Sequence, residues 1–575
     1  MTSIPRLPFA GLLQRELRGH REAQRKRDEW TGGGTRANPA IAHGRRDKRR
    51  LDIPFFPLCS RCSSASSVFP FLLAGLIAGS AAAGVVTDGT LGPGRSLAGP
   101  DFVVGEDLGK RVGDNLFHSF RQFSIRQGES ATFTGAPEIR NLISRVTGGE
   151  VSSIDGLLRS EVGTADFYFI NPRGVLFGPN AQLDVPAGFH VASADEVRFA
   201  DGSSFRADDP AMSRLSIENP HAFGFRSASP GRLTIDGSVL NLAAGANVTL
   251  AGGDLELTGA ALESAAGAAQ LVAQGSATGE VRLDGEGGGG ANGRLTVTDS
   301  GLYLSGDGGG QALLRAGEVR FERGFLGVDN QGERDAGRAI LAEAAELAIL
   351  DDSYWSANSF GGGRAGDVQV TVGGGVEIAQ GGIIASDSYA GGRGGQVTLS
   401  AGALRVAGDG WEGFTGIASN SNQGATGAAG RVRIHAGSLR VDGRGADRFT
   451  GIASNTDGGA GNAGGVEVRV DGLLELVDSG VISSSTWTDG DAGIVRVEAP
   501  RILIDGQQGQ WATGILSTAS AYGIGQTGGI EVSGRALELR NGGEISIASF
   551  VQAPEEALAG FTPPGGSPLR SSDWR

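Results

Sequence analysis

Beyond residue 83 the chain contains no cysteine and a single lysine, Lys110. Disulfides are therefore excluded from that region, and its stability must come from packing and hydrogen bonds. Positive charge is scarce there too. The first 83 residues hold 14 Lys and Arg against 6 Asp and Glu, net +8, while the remainder holds 36 against 58, net −22. A body of that sign has no broad basic surface for nucleic acid or anionic lipid. Aromatic residues make up only 6% and charged residues 20%. No strict Gly-X-Y period is present, which excludes collagen. A coiled coil needs heptads rich in Ala, Glu, Lys and Leu, and the glycine content argues against them.

What the chain has in excess is glycine, 99 of 575 residues, more than twice the usual level of about 7%. Hydrophobic residues at 39% suffice for a core, so wholesale disorder is not expected. At this length a compact fold would divide into several domains, whereas an elongated repeat need not.

The basic run Arg45-Arg46-Asp47-Lys48-Arg49-Arg50 precedes an apolar stretch of 12 residues, 68–79, and then Ala81-Ala82-Ala83. Basic, apolar and small residues in that order read as a secretory signal peptide. The apolar stretch is short for a membrane span. Residues 1–83 are therefore read as an N-terminal extension and signal peptide. Cys59 and Cys62 form a lone Cys-x-x-Cys pair ahead of the apolar stretch, and would leave with it.

The C-terminal half repeats itself. Phe414-Thr415-Gly416-Ile417-Ala418-Ser419-Asn420 returns 35 residues later as Phe449-Thr450-Gly451-Ile452-Ala453-Ser454-Asn455. A first alternating apolar pair recurs as Val368/Val370, Val397/Leu399, Val432/Ile434, Val466/Val468, Val495/Val497 and Ile530/Val532. A second follows each: Val376/Ile378, Leu404/Val406, Leu439/Val441, Leu474/Leu476, Ile502/Ile504 and Leu537/Leu539. A third segment places Ile two residues before Ser, at Ile384/Ser386, Ile417/Ser419, Ile452/Ser454, Ile482/Ser484 and Ile515/Ser517. Alternation with period two means strands with one buried face. Three short strands per unit, cut by glycine-rich turns, predict an all-β chain built as a parallel β-helix, a solenoid in which each coil buries its apolar residues against the next.

Between the first apolar pairs lie Gln369, Thr398, Arg433, Glu467, Arg496 and Glu531, expected to face outward. The last four alternate in sign, as stacking about 4.8 Å apart would favour. Ser419, Ser454 and Ser484 are expected to form an inward or corner ladder. Residues 230–350 follow the same grammar less regularly, and 339–350, helical by composition, is expected to be a strand. Glycine-rich tracts such as 424–430 are read as loops outside the coil, and residues 551–575 as a disordered tail.

Residues 85–226 are the most aromatic part. They contain Asn115-Leu116-Phe117-His118-Ser119-Phe120-Arg121-Gln122-Phe123 and Ile170-Asn171-Pro172-Arg173-Gly174-Val175-Leu176-Phe177-Gly178. Asn-Pro opens a turn, and Gly174 supplies a backbone conformation that other residues resist. These two runs, with Thr87-Asp88-Gly89-Thr90-Leu91-Gly92 and Ala244–Asp254, resemble the filamentous haemagglutinin N-terminal domain, the secretion domain of two-partner-secretion exoproteins. The Asn-Pro-Asn-Leu motif of well-known members is absent.

The resemblance implies a right-handed parallel β-helix with an N-terminal secretion-domain cap, divided as 84–290 for that domain and 291–550 for the repetitive shaft. It implies export through the periplasm of a Gram-negative bacterium and recognition by the periplasmic domains of a dedicated outer-membrane transporter. It further implies release or display at the cell surface, and an adhesin-like role toward a host-cell, glycan or neighbouring-cell surface. Asn171, Pro172 and Gly174 are the residues it marks for transporter recognition, followed by Asn115 and Phe117.

Catalytic signals are weak. His118, His190, His221 and His435 are scattered, with no His-x-His or His-Glu-x-x-His spacing. No Gly-x-Ser-x-Gly elbow occurs. Asp351-Asp352 and Asp489-x-Asp491 are read as turn acids rather than calcium ligands. No enzyme activity, cofactor or metal is expected. A structural surface-layer or stalk protein is the nearer alternative, and a β-helical polysaccharide-active enzyme the more distant one.

Overall fold

A computed structural model describes residues 84–549, apart from 288–289, 449, 508, 510 and 520–524. The signal segment, Cys59, Cys62 and the 551–575 tail lie outside the described residues. Among those described, nearly every element is a β-strand, joined by two short 3-10 turns, Glu106–Leu108 and Pro210–Met212.

The three series of apolar pairs become three ladders of parallel strands. In the first, Val368 pairs with Val397, then Val432, Val466, Val495 and Ile530. In the second, Val376 leads through Leu404, Leu439, Leu474 and Ile502 to Leu537. In the third, Ile384, Ile417, Ile452, Ile482, Ile515 and Ile545 align. Every strand of these ladders thus pairs with the one a whole repeat later, and this part of the chain is a parallel β-helix. Residues 339–350 fall within the strand Arg338–Leu350, aligned with Asp367–Ala379. Position in the stack overrides helical composition there.

Two details differ from the sequence reading. The first and second strands fuse into single bent strands in several coils, as in Asp367–Ala379, Val397–Ala407 and Val432–Asp442. Small residues at the bend, such as Gly373, Gly402 and Gly437, let the ladder continue around it. The glycine tracts, moreover, are not all loops outside the coil. Gly366, Gly395, Gly430, Gly464 and Gly493 stack as a column so tight that a Cβ on Gly464 would lie 1.6 Å from the Gly430 carbonyl oxygen. Gly363, Gly392, Gly427, Gly461 and Gly490 form a second column, with Gly427 buried inside the tract that composition assigned to a loop.

Between the glycine columns and the third ladder runs a ladder of hydroxyls. Ser419 Oγ lies 2.8 Å from both the Ser386 and the Gly395 carbonyl oxygens. Ser454 repeats this against Ser419 and Gly430, and Ser484 against Ser454 and Gly464. Each hydroxyl also accepts from a glycine N–H of its own coil, Gly430, Gly464 and Gly493 in turn. One residue further on, Asn358, Asp387, Asn420 and Asn455 each accept the backbone N–H of the next coil through their side-chain oxygen. The buried polar corner is satisfied coil by coil.

At the N-terminal end the first coil is Asn115–Ser124, paired in parallel with Asn141–Val146. Its other edge is covered by two antiparallel strands, Gly84–Thr87 and Lys110–Val112. Covering removes an open edge that would otherwise recruit other chains. The core of these first coils is aromatic, with Phe120, Phe123, Phe133, Phe167 and Phe189 in edge-on or stacked contact, where the shaft uses Val, Ile and Leu.

Candidate functional site

The N-terminal coils carry a feature absent from the shaft. Four antiparallel strands, Glu196–Phe199, Ser204–Arg206, Pro220–Phe225 and Gly279–Arg282, form a sheet of their own. This sheet packs against the outer face of the coils and creates a second core. Phe117, Ile143, Tyr168 and Ile170 come from the coils, and Val197, Phe199, Phe205, Phe223, Phe225 and Val281 from the added sheet. Both faces of the coil strands are therefore buried, which is why Asn141–Val146 is buried at every position. Period-two reading cannot see a strand of that kind. The signal that could have revealed it is the run 115–123, where Phe117, Phe120 and Phe123 recur every third residue and so fall on both faces of one strand.

The five residues singled out for recognition all lie within this module, and they do not form one exposed patch. Asn171 is 1% exposed. Its Nδ2 donates to the Glu150 carbonyl and to Ser152 Oγ, both at 2.9 Å, and its Oδ1 accepts from Arg173 N at 3.0 Å. The turn closes with Gly174 N donating to the Asn171 carbonyl at 2.9 Å. The Pro172 carbonyl accepts from Gly231 N at 2.9 Å, on the next coil. Gly174 has φ of +114°, and a Cβ there would lie 2.4 Å from the Arg232 carbonyl oxygen. Close approach and backbone angle together require glycine.

Asn115 is fully buried, and Asn141 next to it nearly so. Asn115 Nδ2 donates to the Ser216 and Glu218 carbonyls at 2.9 and 2.7 Å. Asn141 Nδ2 donates to Asn115 Oδ1 at 2.8 Å and to Asn219 Oδ1 at 2.9 Å. The amide pair thus ties the loop before Pro220–Phe225 to the first two coils. The Phe117 ring sits edge-on to Phe199 and Phe205 in the second core.

Arg145, overlooked in the sequence, is the polar centre of the module. It is 1% exposed and its guanidinium lies 4.2 Å from the centre of the Phe205 ring. It donates to Ser119 Oγ, Thr90 Oγ1, Ser213 Oγ and the Arg206 carbonyl. Burial pulls its pKa down to about 10, with Asp88 acting in the opposite direction. Burial raises the Asp88 carboxyl, but hydrogen bonds from Ser119, Thr90 and Thr147 outweigh it and hold the pKa below the usual value.

Two histidines are buried here. His118 Nε2 donates to the Gly105 carbonyl at 3.1 Å, and burial lowers its pKa to about 4. His190 stacks on Tyr168 with ring centres 4.6 Å apart, and burial lowers its pKa to about 3. His435 lies on the shaft, 3.2 Å from Asp471. Among the described residues no three His, Cys, Asp or Glu side chains are grouped as a metal site. Asp351 and Asp352 occupy a turn with φ of 53° and 64°.

A parallel β-helix whose first coils are covered outside by an added sheet, and held by a buried arginine, defines a solenoid with a specialised N-terminal module. Residues 83–310 match the family model described as the TPS secretion domain, so this part of the chain is a two-partner secretion domain. Such a domain implies a partner transporter and export across the outer membrane of a Gram-negative bacterium. Among solved structures, the chain is similar to the HMW1 secretion domain from Haemophilus influenzae, at 15% identity and a TM-score of 0.43, over 80% of this chain and 98% of that one. No curated protein matches the chain significantly.

Proposed function

We propose that the protein is a non-catalytic, adhesin-like exoprotein that is secreted or held at the bacterial surface, with residues 84–290 as the export module and 291–550 as the shaft. The TPS secretion domain match over residues 83–310 carries this reading. The shaft supports it: outward charges pair along the stack, as in Arg433–Glu467 at 3.4 Å and Arg496–Glu531 at 2.8 Å. A stack of this kind holds a binding surface away from the cell. The contacted surface is of a host cell, a glycan or a neighbouring cell. The basic, apolar and small-residue order before Val85 supports a signal peptide cleaved near Ala83.

Asn171, Pro172, Gly174, Asn115 and Phe117 serve transporter recognition in this proposal by holding the module's outer face in shape, since Asn171, Asn115 and Phe117 are buried. The test is co-expression with an outer-membrane transporter barrel of the two-partner type, followed by mass spectrometry of the medium and the cell surface. Export of a chain lacking residues 1–67 supports the reading. Retention of the whole chain inside the cell overturns it.

A further inference from the structure

Resting on the exoprotein reading, we propose that a cleft at the entry of strands Asn141–Val146 and Asp166–Ile170 is the docking surface for the transporter, and that it receives a basic side chain flanked by apolar ones. The cleft has a volume of about 810 Å³ and is lined by Asp114, Glu138, Asn141, Asp166, Tyr168 and Asn219. Three of these are carboxylates. The cation lining it, Arg140, is turned toward Asp114 at 3.5 Å, so the cleft keeps a negative excess.

A group of acids alone would not define a site. Tyr168 supplies the independent observation. It is 5% exposed, and its hydroxyl has no hydrogen-bond partner among the described residues although it lines the cleft. The hydroxyl is not sealed in the interior but reaches the cleft, where it is open to a partner. Its ring is fixed by stacking on His190, so the hydroxyl is presented rather than free to swing away. Asp166 stands two residues earlier on the same face of the strand. Its Oδ1 accepts from Gly188 N at 2.8 Å, leaving Oδ2 for a ligand. An outgoing donor with several N–H groups, a guanidinium or an ammonium, satisfies the Tyr168 oxygen and the carboxylates together.

The apolar flank lies beside the cleft. Ile217, on the loop that ends at Asn219, is 67% exposed. Ile217 rests over Gly113, one residue before Asp114. The buried Asn115 amide holds this loop through Ser216 and Glu218, so Asn115 is a positioning residue for the surface. A charged cleft beside exposed apolar side chains has the composition of a protein-docking surface.

The test co-expresses the full chain with an outer-membrane transporter of the two-partner type that exports it. Exported amount and melting of the exported protein are measured for wild type, Asp166→Asn, Tyr168→Phe, Ile217→Ser and Glu138→Arg. Glu467→Gln on the shaft serves as the control. The expected result is an export loss of roughly tenfold for each cleft variant with melting unchanged, largest for the charge reversal. Asp166→Asn retains the acceptor for Gly188, and Glu138 and Ile217 are exposed, so folding is spared. Wild-type export with equal export of all four cleft variants overturns the proposal alone. Export losses matched by melting losses in all four also overturn it. A wild-type chain that no such transporter exports overturns both this proposal and the exoprotein reading.

Discussion

Arg145 reaches Asp88 through two shared hydroxyls. Ser119 Oγ accepts from Arg145 Nε at 2.7 Å and donates to Asp88 Oδ2 at 2.5 Å. Thr90 Oγ1 accepts from Arg145 Nη2 at 3.0 Å and donates to Asp88 Oδ1 at 2.8 Å. The opening strand, the first two coils and the added sheet therefore meet in one network around the buried Arg145.

Arg145→Lys is expected to destabilise the protein by about 3 kcal/mol, because an ammonium cannot span the Ser119, Arg206, Ser213 and Thr90 acceptors at once. Denaturant unfolding followed by aromatic fluorescence measures this. A midpoint equal to that of wild type would show that the fork is not needed.

Acid should weaken the N-terminal module first. The folded pKa values of His118 and His190, about 4 and about 3, lie below the ordinary value of 6.5. The unfolded chain then binds more protons than the folded one below that value, so stability is full above about pH 6.5 and falls as pH drops toward 4. The full loss is at most about 3 kcal/mol for His118 and about 5 kcal/mol for His190, and is complete only below their folded values. Asp88, held below its usual value, adds a further loss at more acid pH. Hydrogen exchange at pH 7 and pH 5 should show faster opening in residues 115–192 than in the shaft. Uniform acceleration along the chain would contradict this.

Val468 is 1% exposed and Glu467 is exposed and paired with Arg433. Val468→Asp is expected to cost at least about 3 kcal/mol, since it buries an unpaired charge. Glu467→Gln is expected to cost no more than about 0.5 kcal/mol. Thermal melting of the two variants separates them, and equal effects would mean that the strand is turned over.

Ser454→Ala removes one rung of the hydroxyl ladder and leaves Gly464 N–H and the Gly430 carbonyl without that partner, at about 1–3 kcal/mol. Gly464→Ala should be worse, because its Cβ would overlap the Gly430 carbonyl oxygen. Calorimetry that ranks the serine change above the glycine change would refute the column.

Much of the shaft was legible in the sequence because each of its coils solves the same problem. Val368, Val397 and Val432 recur with Gln369, Thr398 and Arg433 between apolar partners, and period two is enough to place them in and out. The serine ladder was legible for the same reason. The glycine columns were not, because a glycine in a turn and a glycine under a neighbouring carbonyl look alike in composition. The secretion module was legible as motifs, yet the positions of Asn171, Asn115 and Phe117 in its interior were not. Asn115 and Phe117 are covered by chain that lies far along the sequence, between residues 199 and 218, and Asn171 by the coil that carries Glu150 and Ser152. The cleft beside Tyr168 shares that origin, since Asn219 arrives from 78 residues beyond Asn141.

The hydroxyl ladder also has a direction. Ser419, Ser454 and Ser484 each point their hydroxyl at carbonyls of the coil before, and Asn358, Asp387 and Asn420 each offer an oxygen to the coil after. A coil joining the C-terminal end brings the donors, and the coil already laid down holds out the acceptors. The finished end of the stack is thus a template for whatever follows it. A stack growing from the N-terminal module adds one turn at a time, without reopening any turn already closed.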